Sequence, residues 1–95
     1  MFVVAARWVA REGEEDYIAD LLRTVERLTN EEPGCRMFVT HRSTEDPRTF
    51  LLYEQFDDEA AFKAHGETEH FKTHVLGDAV PRLEVRERAF YEPLA

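Results

Sequence analysis

With one cysteine, Cys35, the chain cannot close an internal disulfide, and no second thiol is present to build a metal cluster or a redox pair. That shortage predicts a reducing, cytoplasmic setting. Cations are scarce as well: 12 Lys and Arg against 20 Asp and Glu leave a formal charge of −8. The arginines are scattered from Arg7 to Arg88, so phosphate backbones and anionic lipid surfaces would be repelled, which sets aside nucleic acid and membranes as partners. Long apolar runs are missing too. The opening segment MFVVAARWVAR is too short for a signal peptide and has no basic region before it, and nothing approaches the roughly 20 apolar residues that span a bilayer. Linkers, repeats and low-complexity tracts are also lacking, so the 95 residues predict one domain around one core. A chain this short buries only about 60–65% of its unfolded surface, which makes burial against a second copy useful.

What is there reads in short, well-punctuated elements. Residues 2–10, FVVAARWVA, are apolar, β-branched and aromatic, and predict a strand apolar on both faces. Residues 14–30 place Tyr17, Ile18, Leu21, Leu22, Val25 and Leu28 at helical spacing, with Glu14, Glu15 and Asp16 in the first turn, where the helix dipole favours anions. Asn30 and the breaker pair Pro33 and Gly34 end that helix. Strands follow at 35–42 and 49–56, joined by the polar STEDPRT turn. Asp57 or Asp58 predicts an N-cap for a helix over 58–65, Gly66 interrupts it, and Thr68 opens a second helical piece over 68–78 that Pro81 closes. Residues 82–92 alternate as a last strand with one wet face.

The order β-α-β-β-α-β is the ferredoxin-like split βαβ plan, an α+β fold with four antiparallel strands and the helices on one face. Such a sheet leaves its other face bare. Packing that face on a second copy predicts a two-fold homodimer.

Three of the four histidines, His65, His70 and His74, fall within ten residues just after the third strand. Glu54 sits on that strand between Leu52 and Phe56 on one apolar face, where a lone carboxylate is costly. A partner is therefore expected, either an imidazole or a structural arginine, Arg7 or Arg36, across the strands. His70 and His74 have the i, i+4 spacing that can clamp a metal, but the glutamate of H-E-x-x-H is missing, so no metal is expected. His74 reads as a residue on a solvated or dimer-facing edge, and His41 as a surface residue. Cys35, after a turn glycine, reads as a small apolar packing residue.

Several motifs together carry a resemblance: EPGC at 32–35, a DP turn at 46–47, FLLYEQF at 50–56, and A-x-x-x-H-x-x-x-x-H-F over 61–71. On these the chain resembles the antibiotic biosynthesis monooxygenase family of dimeric α+β barrel proteins. The resemblance implies a homodimer with a pocket in each subunit between sheet and helices. Relatives include cofactor-free oxygenases of quinols and polyketide aromatics, haem-degrading oxygenases, and isomerases or degrading enzymes of small signalling sugars. His65 and His70 match the family's histidine positions. The haem-degrading pattern does not fit, since Ala6 stands where its strand asparagine would be and His65 falls near its tryptophan.

The expected activity is then cofactor-independent oxygenation of a small quinol, phenolic or polyketide-like aromatic by molecular oxygen, with no metal or flavin. Such a substrate itself reduces oxygen and needs only a base in a water-poor pocket. An unperturbed imidazole titrates near neutral pH, which suits the role. The expected catalytic set is His65, His70 and Glu54, the carboxylate orienting an imidazole. Tyr53, Trp8, Phe38, Phe56 and Phe62 are expected as aromatic walls for the substrate, with Arg7 as a further contact. Two alternatives stay open: an isomerase using the same base for proton transfer, which would require an anion-binding arginine, and a non-catalytic ligand-binding or stress-response dimer.

Overall fold

A computed structural model describes residues 1–95 and shows the β-α-β-β-α-β layout. Strand β1 is Phe2–Ala10, helix α1 Glu15–Asn30, β2 Cys35–Arg42, β3 Thr49–Phe56 and helix α2 Glu59–Gly66. A helical segment α3, Phe71–Ala79, a short turn Val80–Arg82 and strand β4, Leu83–Tyr91, complete the chain. The strands form one antiparallel sheet in the order β2-β3-β1-β4. This is the ferredoxin-like arrangement that the pattern of elements predicts.

The apolar stripe of α1 seats Ile18, Leu22 and Val25 on the sheet, where they meet Ala6, Trp8, Phe38, Phe50 and Leu52. Period-2 alternation sends Val4, Ala6, Trp8 and Ala10 of β1 and Phe50, Leu52, Glu54 and Phe56 of β3 to this same helix-facing side. Side chains of α1 also occupy the free edge of β2. The Asn30 amide donates to the Phe38 carbonyl at 2.8 Å and accepts from the Phe38 N–H at 3.0 Å, and Glu26 accepts from the Thr40 N–H at 2.7 Å. An edge strand satisfied in this way is no longer a template for stray pairing.

The expected second helical piece departs from an α-helix. Segment α3 is wound as a π-helix, and its last bond runs from the Val80 N–H to the Val75 carbonyl, five residues back. Pro81 has no N–H to continue the series. The wider turn aligns Val75 and Ala79, four residues apart, toward the core.

The opposite face of the sheet carries Met37, Leu51 and Tyr91, all large and exposed, with Val3, Ala5, Val39 and Tyr53 among them. No helix covers it. None of the helices is long and apolar enough to cross a membrane.

Candidate active site

Helix α2 is only two turns long, and its position is fixed from both ends. Asp58 caps it, its carboxylate accepting from the Ala61 N–H at 2.8 Å. At the other end the Thr68 hydroxyl donates to the His65 carbonyl at 2.8 Å and accepts from the Phe71 N–H at 3.2 Å, tying α2 to α3. Held so, α2 turns Phe62 and His65 toward the sheet. His65 is 4% exposed, in a box of rings: Phe71 at 4.9 Å, Phe56 at 5.3 Å and Phe38 at 5.9 Å between centroids.

The EPGC loop between α1 and β2 passes directly beneath α2. Its contact depends on Gly34: a Cβ there would lie 2.5 Å from the Ala61 Cβ, so a larger residue would hold the loop and helix apart. The Gly34 carbonyl also accepts from the Asp57 N–H at 2.9 Å. That close approach places Glu32 under the histidines. One carboxylate oxygen, Oε2, serves both imidazoles, lying 2.9 Å from His65 Nδ1 and 2.6 Å from His70 Nε2. A carboxylate only accepts, so each of these nitrogens donates to it. His65 is thereby held with Nδ1 protonated, leaving Nε2 as its free lone pair.

A cavity of about 420 Å³ opens between the sheet and α2 and α3, with His65, Glu54, Trp8, Phe38, Phe62 and Phe71 among its walls. Its size falls within the range of small-molecule sites. Glu54 is 6% exposed and forms no hydrogen bond or ion pair to another side chain; it faces this space. Burial pushes its pKa up to about 8, with Arg88 opposing, Glu32 adding to the rise and Arg86 opposing. At neutral pH Glu54 therefore presents a carboxylic acid, a donor, to the cavity.

The structure separates the residues singled out from sequence. His65, Glu54, Trp8, Phe38 and Phe62 share the cavity wall. His70 reaches Glu32 but lies behind that wall, and Phe56 is fully buried behind His65 and Phe62. Tyr53 and Arg7 fall on the other face of the sheet, where Tyr53 accepts from the Gln55 amide at 2.9 Å and Arg7 pairs with Glu87 at 3.0 Å. The carboxylate that orients the imidazoles is Glu32, not Glu54, because Glu54 points into the cavity from the sheet while Glu32 rises from the loop beneath both rings. The expected arginine partners of Glu54 are engaged elsewhere, Arg7 with Glu87 and Arg36 with Asp57. Glu32 was visible as the first residue of EPGC but not as a site residue. Arg86 and Arg88, two residues apart on the face of β4 that the alternation predicts to be wet, also line the cavity.

Donor atoms of Glu32, His65 and His70 lie within 4.8 Å of one another, a grouping with the composition of a two-histidine, one-carboxylate metal site. The i, i+4 pair His70 and His74 is not that group, since His70 turns to Glu32 instead. Cys35 packs against the core as expected, its thiol pushed up to about 11 by burial and then by Glu32, which leaves it unreactive.

Fold and cavity together define a ferredoxin-like domain with a cavity of small-molecule size between sheet and helices. The chain belongs to the antibiotic biosynthesis monooxygenase family, whose model matches residues 1–75. Among solved structures, a Nitrosomonas europaea protein assigned to antibiotic biosynthesis monooxygenases shares 25% identity at a TM-score of 0.94, covering 100% of both chains. An antibiotic biosynthesis monooxygenase crystal structure follows at 24% identity and TM-score 0.92, with 100% of both chains covered. A Pseudomonas aeruginosa protein is 25% identical at TM-score 0.91, covering 99% of this chain and 94% of its own. No curated protein matches the sequence. Family membership and these neighbours support a general monooxygenase-like role.

Proposed function

We propose that the protein is a cofactor-independent monooxygenase of a small quinol, phenolic or polyketide-like aromatic, with His65 as the base, Glu32 as the group that orients it and Glu54 as a proton donor. The observation that carries this reading is the Glu32–His65 pair, whose buried imidazole stands on the wall of a largely apolar cavity. A base fixed in one tautomer by a carboxylate on its far nitrogen is suited to take a hydroxyl proton through Nε2, a contribution worth about 10²–10⁴-fold in rate. Trp8, Phe38 and Phe62 supply flat apolar walls for a ring.

Deprotonation makes the ring electron-rich enough to reduce molecular oxygen in a site that excludes water. For a hydroquinone the balance is hydroquinone plus oxygen giving hydroxyquinone plus water. One C–O bond forms at a ring carbon, the O–O bond breaks, and the substrate supplies all four electrons. Glu54, protonated at neutral pH, can hand a proton to the oxygen that leaves as water. Oxygen uptake with a panel of quinols tests the reading. Uptake by the wild type that falls at least tenfold in His65→Ala supports it; no uptake with any quinol, or uptake unchanged in both His65→Ala and His70→Ala, refutes it.

A second reading, an isomerase working by proton transfer, draws on a specific observation, the arginines Arg86 and Arg88 in the cavity wall. The same His65 would serve it. In either case the bare apolar face of the sheet is proposed to pack on a second copy, giving a homodimer.

A further inference from the structure

The chain carries a formal charge of −8, yet three cations, Lys63, Arg86 and Arg88, line its cavity beside the carboxyls of Glu54 and Glu87. Arg86 and Arg88 project from the same side of β4, two residues and so roughly 6–7 Å apart, beside Trp8 and Ala6 on the neighbouring strand. Lys63, on α2, also lines the cavity but is paired with Glu59 at 3.9 Å. Arginine ion pairs elsewhere in the molecule use Arg7, Arg23, Arg36, Arg42, Arg48 and Arg82. Arg86 and Arg88 have no carboxylate partner. Glu87, between them in sequence, turns to the other face and pairs with Arg7 at 3.0 Å.

What holds Arg88 is aromatic. Its guanidinium lies 5.5 Å from the ring centroids of both Phe62 and Phe90, which orient the planar group without neutralising it. Arg86 is pulled below its ordinary pKa by burial and then by the charge of Arg88, with Glu54 pulling the other way. Glu54, the carboxyl that acts on both arginines, is held protonated up to about pH 8 by burial, so it does not neutralise them at neutral pH.

We infer that Arg86 and Arg88 bind an oxyanion carried by the ligand at the cavity mouth, and that the ligand is a hydroxylated aromatic acid whose ring enters the apolar cavity and whose carboxylate stays at the rim. Guanidinium groups match the two oxygens of a carboxylate, and of the 17 residues that line the cavity 10 are hydrophobic, which favours a ring over a phosphorylated sugar. The inference deepens the proposed function and rests on the same cavity being the ligand site.

The chain's only tryptophan, Trp8, is a cavity wall and reports occupancy by its fluorescence. Anaerobic titration of the folded protein with 2,5-dihydroxybenzoate and with hydroquinone compares one ring with and without the carboxylate. The acid is expected to bind at least tenfold more tightly, the preference to shrink to less than threefold in Arg86→Gln/Arg88→Gln, and to persist in Arg23→Gln on α1. If the double variant does not fold, the single variants Arg86→Gln and Arg88→Gln are each expected to lower the preference. Equal or undetectable binding of the acid overturns the inference, as does a preference unchanged in the arginine variants. Displacement of the acid by inorganic phosphate at lower concentration than by benzoate also overturns it, in favour of a phosphorylated ligand. Binding is read without turnover, so absence of oxygen uptake would defeat the oxygenase reading and leave this one standing.

Discussion

Glu32 Oε2 sits 2.9 Å from Nδ1 of His65, joining a loop residue to a helix residue 33 positions away. Both partners are nearly buried, with side chains 11% and 5% exposed. An interaction shielded from water in this way is stronger than its surface counterpart. Replacing Glu32 by Gln keeps the shape but lets the amide present a donor to the ring. The expected result is a fall of roughly 10–100-fold in kcat with KM changed less than threefold, because ring orientation is lost while the cavity walls are not. Steady-state oxygen uptake checks it.

Glu54 makes the stability depend on pH in a stated direction. Its folded pKa, about 8, lies above its ordinary value of 4.5, so the folded state binds the proton more tightly. The contribution is fully present below pH 4.5, is lost as pH rises from there through about 8, and changes no further above that. Glu54→Gln removes the titration. Thermal melts should show the variant more stable than wild type at pH 9, by roughly 1–4 kcal/mol, with the two curves converging at low pH.

Gly34 is required by contact with Ala61. Gly34→Ala should destabilise by about 1–3 kcal/mol and lower activity together, since the loop carrying Glu32 must move away from α2. Ala61→Gly removes the opposing methyl. In a double-mutant cycle the pair should recover more than 0.5 kcal/mol of the loss, measured by denaturant melts, whereas strict additivity would show that the clash is relieved elsewhere.

On the uncovered sheet face, Leu51 and Met37 are 45% and 41% exposed. Under the proposed homodimer, Leu51→Arg with Met37→Lys buries like charges against each other across the two-fold. Sedimentation should show wild type at twice the chain mass and the double variant at the chain mass.

The fold was legible because its signals are local. The α1 stripe, the Pro33–Gly34 stop, the DP turn and the alternation of β3 each act over a few residues, and the element order then leaves few topologies. The π-winding of α3 was not legible, since Phe71, Val75 and Ala79 at spacings of four fit an α-helix equally well. In the site, His65 and Glu54 declared themselves as polar residues on apolar faces. The pairing between them did not follow, because which carboxylate reaches an imidazole depends on the height of a loop above a sheet. Glu32 stands in a polar run whose ordinary reading is a solvated helix end, and only the approach at Gly34 brings it inward. Tyr53 and Arg7 illustrate the converse: alternation put them on the opposite side from Glu54 and Trp8, and that parity was a stronger guide than aromatic or cationic character.

The central claim is that His65 takes a proton from a phenolic ligand in the cavity. An anaerobic absorption titration with 4-nitrocatechol reads this directly, because the phenolate absorbs at longer wavelength than the phenol. At a pH where the free compound is mostly protonated, the account predicts that the wild type binds it as the phenolate and that His65→Ala binds it as the phenol. Binding as the phenol by the wild type, or as the phenolate by both proteins to the same extent, would contradict the claim.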